Sequence, residues 1–366
     1  MTVRSPARSR RFGLVLPLLE AITTPHGIDR YLELVHPMLT VREVRAQVTA
    51  VHRSTPDSIT LILRPTWRWR GFSAGQFVRV SVTIDGVLRS RCYSPSCSAL
   101  RADGQFELTV KAHPGGLVSQ YLHRAAAPGL VVGLSQAEGT FQLPTVRPER
   151  ILLISGGSGI TPVLSMLRTL CEENHEGEVT FLHYASTEAH VPHLRELREL
   201  ADAHDNLRLV LAYTEAEDGD LTGLFSHEHL RAAAPRHAEA QTYLCGPGGL
   251  MRGVRELFTE LGLAEALHTE EFAPVLAPPD EDAAGQVSFA DSDLRSDNSG
   301  RTLLEQAEDA GLDPPHGCRM GICFSCTQIK KCGRVRNIRT GAISAEEDEE
   351  IQLCISVPVG DVTLDL

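Results

Sequence analysis

Five of the nine cysteines fall within the last fifty residues, at Cys318, Cys323, Cys326, Cys332 and Cys354. Four and then two residues separate Cys318, Cys323 and Cys326, and Cys354 follows at a distance. That spacing suits a [2Fe–2S] cluster, with three thiolates on one tight loop and the fourth returning from another segment. Gly317 and Gly321 let such a loop wind without side-chain clash. Structural zinc sites draw on two close cysteine pairs, whereas the fourth cysteine here stands alone, so the cluster is the better fit. Cys332 is left over and reads as a free thiol. An odd, clustered set is a poor disulfide framework and points to a reducing, cytoplasmic compartment.

A length of 366 residues allows two or three domains. Residues 1–44 read as an extension. It begins Arg-rich, and then Ile28, Tyr31, Leu32 and Val35 take a helical spacing that should pack on the next domain. Ser9-Arg10-Arg11-Phe12 faintly resembles a twin-arginine export signal, but Pro17 and Glu20 interrupt the apolar stretch behind it. Residues 45–146 carry short alternating runs broken by Gly75, Gly86, Gly104 and Pro128-Gly129, which predicts an antiparallel β-barrel. Residues 147–272 alternate strand and helix, the pattern of a parallel α/β sheet. Residues 273–285 form a Pro-rich linker, and 286–366 hold the cysteine cluster, with a helix at 302–310 and a closing strand at 359–366. No run of 18 apolar residues occurs, so no integral membrane segment is expected. With 35 basic against 47 acidic residues, the chain lacks the basic footprint of a nucleic-acid binder.

Arg91-Cys92-Tyr93-Ser94 follows the strand expected at 80–84. The combination suits a flavin: a guanidinium fork for phosphate, an aromatic ring for the isoalloxazine and a hydroxyl for its edge. Downstream, Lys111 precedes Gly115, Gly116 and Ser119, which open a helix whose N-terminus can cradle a pyrophosphate. Gly156-Gly157-Ser158-Gly159-Ile160-Thr161-Pro162 sits between a buried strand and a helix, offering a nucleotide diphosphate close backbone approach and a helix dipole. Pro162 suits the first helical turn. Cys245-Gly246-Pro247 follows the strand at 242–244, and Glu271-Phe272 ends this region. After the strand at 179–184, Ser186, Thr187, Arg195 and Arg198 favour the 2′-phosphate of NADPH, while Glu188 favours the ribose diol of NADH.

These motifs in this order resemble the ferredoxin–NADP⁺ reductase superfamily followed by a plant-type ferredoxin domain. The resemblance implies a six-stranded flavin barrel, a nicotinamide-binding α/β domain and a β-grasp domain of α+β type. By that resemblance Cys318, Cys323, Cys326 and Cys354 ligate the cluster and Cys332 does not. Arg91 would contact the flavin phosphates, Tyr93 stack on the flavin, and Ser94 lie near its redox-active nitrogen. Lys111, Gly115, Gly116 and Ser119 would serve the flavin pyrophosphate, and Gly157, Gly159, Thr161 and Pro162 the nicotinamide nucleotide. Cys245, Gly246 and Pro247 would lie by the nicotinamide, with Phe272 beside the flavin; Ser94 and Cys245 are the catalytic candidates. The second glycine motif favours FAD, with FMN as the alternative, because phthalate-dioxygenase-type reductases share this order and use FMN.

The implied function is transfer of electrons from NADPH, or NADH, through FAD and the cluster to a terminal oxygenase or desaturase. The N-terminal stretch at 18–32 and the domain order resemble actinobacterial reductases that serve membrane acyl-CoA Δ9 desaturases, which would place the chain in the cytoplasm and peripheral at a membrane through its partner. The other reading is the reductase of an aromatic-ring dioxygenase, a phenylacetyl-CoA epoxidase or a P450. The linker would let the ferredoxin domain swing, and the acidic run at 346–350 would steer a basic partner.

Overall fold

The structure, a computed structural model, describes residues 28–272, 283–316, 321 and 324–366. Most of the expected linker, along with Cys318 and Cys323, lies outside the described residues. The first element is helix α1 (Ile28–Val35). Its expected apolar packing on the next domain is not what holds it. Tyr31 is 43% and Val35 78% exposed, and Leu32 alone of the described expected positions is half-buried. The anchor is polar: Asp29 accepts the backbone N–H groups of Val41, Arg42 and Glu43 at 2.5, 2.8 and 2.8 Å. Buried Arg45 completes it by donating to the Pro37 carbonyl at 2.9 Å.

Strands β1 (Val44–Thr55), β2 (Ser58–Pro65), β3 (Val78–Ile84), β4 (Val87–Tyr93), β5 (Phe106–Lys111) and β6 (Val131–Leu134) form one antiparallel sheet in the order β4-β3-β6-β1-β2-β5. A bridge between Pro95 and Leu108 joins its two edges into a barrel. Val48, Ile59, Leu61, Val78, Phe106 and Leu108 fill the interior, and the last helix before the second domain is α2 (Leu117–Ala125). Strand β4 lacks the alternation that marks a strand. Arg91 and Tyr93, expected after a strand, therefore lie within β4.

The second sheet is wholly parallel. Strands β7 (Arg150–Gly156), β8 (Glu178–Ala185), β9 (Leu207–Tyr213), β10 (Leu221–Thr222), β11 (Gln241–Cys245) and β12 (Leu267–Glu270) run in the order β10-β9-β8-β7-β11-β12. Helices α3 (Ile160–Glu172), α4 (Leu194–Ala203), α5 (His227–Ala233) and α6 (Gly248–Glu260) accompany it. The third sheet contains β13 (Gln286–Phe289), β14 (Leu294–Asp297), β15 (Thr327–Asn337), β16 (Ile343–Ser344), β17 (Glu349–Gln352) and β18 (Ser356–Leu364). Helix α7 (Leu303–Asp309) packs on it, opened by a reciprocal capping box between Thr302 and Glu305. The acidic run lies around β17, where part of it is internally neutralised. Glu349 pairs with fully buried Lys330 at 2.9 Å and Asp348 with Lys331 at 3.4 Å.

Barrel and parallel sheet are locked together through α3. Ser165 donates to the Cys97 carbonyl at 2.7 Å, and Ala99 N–H donates to the Thr169 hydroxyl at 3.0 Å. Arg168 donates to the Ser96 carbonyl and to Glu107 at 2.6 Å each, and grips Glu196 of α4 through two bonds at 2.7 and 2.5 Å. His193, held in the left-handed region at φ 59°, adds a 2.8 Å bond to Thr109. Burial alone would raise the Glu196 carboxyl, but hydrogen bonds from His193 and Arg168 and the Arg168 charge hold it at about 2. Glu107 is likewise held low against its burial by the Arg168 and His193 charges.

Removing the cation leaves buried Glu107 without its guanidinium partner, with the Ser96 hydroxyl at 2.7 Å as its remaining close donor. Arg168→Met should therefore destabilise the protein by about 3–5 kcal/mol in urea at neutral pH. Because the Glu196 carboxyl is depressed, its contribution is complete above its ordinary value of 4.5 and is lost as pH falls through about 2. Glu196→Gln should show a shallower loss of stability over that acid range, measured by thermal melting.

Candidate functional site

The ends of the barrel strands face the C-terminal edge of the parallel sheet, the usual position for a ligand in an open α/β domain. A cleft lies between them. From the barrel it is lined by Phe77, Arg91, Cys92, Tyr93, Ser94, Thr109, Lys111, His113, Gly116 and Ser119, and from the sheet domain by Ser158, Thr161, Glu270, Glu271 and Phe272. Of the residues singled out in the sequence, Arg91, Tyr93, Ser94, Lys111, Gly116, Ser119, Thr161 and Phe272 thus meet in one place.

The remainder stand just outside the lining. Gly115 and Gly157 take positive φ with nothing within 4 Å of an added Cβ, so each leaves open backbone. Gly159 meets a packing demand as well. A Cβ there would sit 2.2 Å from the Cys245 carbonyl oxygen. One at Gly246 would sit 3.0 Å from the Gly156 nitrogen. The two β–α loops therefore pack backbone to backbone, and these glycines hold the loops together. Pro162 is buried in the first turn of α3, and Pro247 is the N-cap of α6. Gly116 occupies the N-cap of α2, and the Ser119 hydroxyl returns a 3.1 Å bond to the Gly116 carbonyl.

The sequence reading missed Glu270. Strand β12 has no apolar alternation, and only its parallel pairing with β11 sets Glu270 opposite Cys245. Ser94 donates to Glu270 Oε2 at 3.2 Å across the domain boundary. Burial pushes the Glu270 carboxyl up to about 8, against the opposing effect of the Ser94 bond. The pair can therefore hold a proton inside the cleft at neutral pH. Cys245 is completely buried, and burial pushes its thiol well up, so it stays neutral. Burial, with the neighbouring Lys111 charge, keeps the His113 imidazole below its ordinary value. Lys111 itself is tied to Asp57 at 3.0 Å.

The chemistry of the lining fits a flavin and a dinucleotide. Arg91 and the N-terminus of α2 supply donors for phosphates, Tyr93 an aromatic face, and Gly115 and Gly157 open backbone. In the third domain, Cys326 and Cys354 are buried beside Leu353 and Ile355, and Gly321 N–H donates to Cys354 Sγ at 3.3 Å. Gly321 takes φ +70°, and a Cβ there would lie 2.5 Å from Ile355 Cδ1. A buried thiol receiving a backbone N–H on a glycine-dependent loop suits an iron–sulfur ligand.

Family models match this chain in three successive stretches. An oxidoreductase FAD-binding domain covers residues 47–143, an oxidoreductase NAD-binding domain 153–256, and a 2Fe–2S iron–sulfur cluster binding domain 291–359. An NADPH oxidoreductase of Mycobacterium tuberculosis is 37% identical over 100% of this chain and 95% of its own length. A glycine betaine monooxygenase reductase subunit of Pseudomonas aeruginosa is 31% identical over 80% of this chain and 87% of its own. The solved phthalate dioxygenase reductase matches the fold with a TM-score of 0.59 at 21% identity, over 88% of this chain and 97% of that one.

The neutral Glu270 carboxyl persists below about pH 8 and is lost as pH rises through it. The rate of flavin reduction by NADPH in the flavin-loaded protein should bend near that pH, and Glu270→Gln should remove the bend. Ser94→Ala should slow the same step about 100-fold in stopped-flow absorbance without releasing the flavin.

Proposed function

The chain belongs to the ferredoxin–NADP⁺ reductase superfamily, in the branch that ends in a 2Fe–2S domain, and from that premise we propose that it carries electrons from NADPH through FAD and a [2Fe–2S] cluster to an oxygenase or desaturase. The observation that carries this reading is the shared cleft. Tyr93 and Ser94 from the barrel meet Thr161 and Glu270 from the sheet domain there, so groups that would hold a flavin and a nicotinamide face each other.

Arg91, Gly115, Gly116 and Ser119 would hold the FAD phosphates and Tyr93 the ring; Gly157, Gly159, Thr161 and Gly246 would shape the nucleotide loop. When bound, the flavin supplies the conversion of a two-electron hydride into single electrons, which the cluster passes on. The residues supply placement. Ser94 and Glu270 would hold a proton in the cleft that would take the flavin ring, and the buried, neutral Cys245 would shape the strand end that serves the nicotinamide. For the nucleotide, Ser186 and Thr187 follow β8, and Glu188, the acid that argued for NADH, is engaged by Arg198 at 2.9 Å. Since the pair also occupies Arg198, the support for NADPH is the two hydroxyls, Ser186 and Thr187, with Arg195.

For the acceptor we favour a membrane acyl-CoA desaturase. The support is the resemblance, in the stretch at 18–32 and the domain order, to reductases of such desaturases; the monooxygenase reductase subunit aligns over 80% of this chain. The name of that subunit supports the second reading, an oxygenase partner. No helix among the described residues is long and apolar enough to cross a membrane, so any membrane-bound partner would supply its own span.

Cys326→Ser should abolish NADPH-dependent cytochrome c reduction while leaving ferricyanide reduction at the flavin within about twofold of the parent protein; survival of both activities unchanged would contradict the electron path. Membranes holding a di-iron acyl desaturase should desaturate a saturated acyl-CoA once this protein and NADPH are added. A soluble oxygenase supported in their place would establish the second reading.

A further inference from the structure

Charge is distributed unevenly along this chain. Residues 1–70 contain eleven arginines against five acids, although the chain as a whole carries −12. Such asymmetry marks a segment that meets a polyanion or an anionic surface. In the described part of the segment, large apolar side chains face outward. Leu34 is 84%, Val35 78% and Trp67 77% exposed, with Leu39 beside them at 45%.

These side chains lie on elements pinned to one short stretch. Asp29 ties α1 to residues 41–43. Arg68, in the turn after β2, donates to the Val41 carbonyl. Thr66 and Arg45 exchange bonds at 2.8 and 3.1 Å. The acids of the region are already occupied: Glu33 and Glu43 by Arg45, and Asp29 by backbone N–H groups. Exposed Arg64, Arg68 and Arg70 have no ion-pair partner among the described residues, and the Arg68 guanidinium lies 5.2 Å from the centre of the Trp67 ring. In sequence, the residues ahead of α1 carry Arg4, Arg8, Arg10 and Arg11 against Glu20.

We propose that this face, made of α1 and the turn after β2, docks directly on the headgroup layer of an anionic phospholipid bilayer. Arginines meet lipid phosphates, while Leu34, Val35 and Trp67 enter the interface, where tryptophan is favoured and apolar side chains gain burial. Leu34 and Val35, which share the face with Trp67, are aliphatic and offer nucleic-acid bases no stacking surface. The inference goes beyond the reading above and holds whichever acceptor is correct, because the lipid itself is the ligand.

The test uses the full-length flavin-loaded protein with vesicles of phosphatidylcholine alone or mixed equally with phosphatidylglycerol. Trp67 lies on this face, and Trp69, the other tryptophan of the chain, packs on Phe106 in the barrel, so a change of emission on binding reports Trp67. The account expects cosedimentation with the anionic vesicles only, a blue shift of the emission, and loss of both at high salt. Leu34→Ser/Val35→Ser and Arg64→Gln/Arg70→Gln should each weaken partition about tenfold or more, with flavin content and ferricyanide reduction unchanged. Equal binding to neutral vesicles would overturn the proposal, as would unaltered binding by both double variants. So would binding of an RNA oligonucleotide in place of vesicles, or complete loss of binding on deleting residues 1–27 alone.

Discussion

The cleft exists because two domains are held face to face, and the grip depends on Arg168. One guanidinium is shared between Glu107 of the barrel and Glu196 of the α/β domain, with the Ser96 carbonyl completing its shell. A buried cation of this kind is costly to desolvate, and its worth lies chiefly in specifying one arrangement. Here that arrangement links the residues proposed to serve both cofactors. The segment from Ser94 to Ala99 begins at the cleft and ends bonded to α3, whose N-terminus carries the glycine loop. Thr109, which lines the cleft, is bonded to His193 from the loop leading into α4. A shift of α3 would displace Ser94 and Thr161 together.

Much of the site was legible because its signals are local. The cysteine spacing, the glycine loop at 156–162 and Arg91-Cys92-Tyr93-Ser94 each carry their chemistry within a few residues, and the three-part architecture followed from where strand alternation gives way to strand–helix alternation. What was not legible depends on pairing between distant segments. Glu270 gains its role from its register opposite Cys245, and nothing in Leu267–Glu270 signals it. Arg168 has no local signal either, because its partners are some 60 residues upstream in the barrel and on the next helix. Gly159 was read for its ligand, whereas the Cys245 carbonyl already requires its missing side chain. Strand β4 was overlooked because Val87–Tyr93 alternates poorly, being half-exposed along its length.

The helix near the N-terminus failed in a more instructive way. Its apolar spacing was taken as a packing face, but polar bonds from Asp29 and Arg45 hold it, which leaves Leu34 and Val35 outward. An amphipathic pattern states that a helix has an apolar side, and says nothing of what covers it. The acidic run on the third domain shows the converse. Lys330 and Lys331 engage part of it, so a run of like charge in sequence is a smaller field in space.

The central claim is that electrons entering at the cleft leave through the cluster of the same chain. Anaerobic titration of the purified protein with NADPH, followed by visible absorbance and electron paramagnetic resonance, tests it most directly. The account predicts that flavin absorbance bleaches and a reduced [2Fe–2S] resonance grows in within the same titration. Complete bleaching of the flavin with no cluster resonance would contradict it.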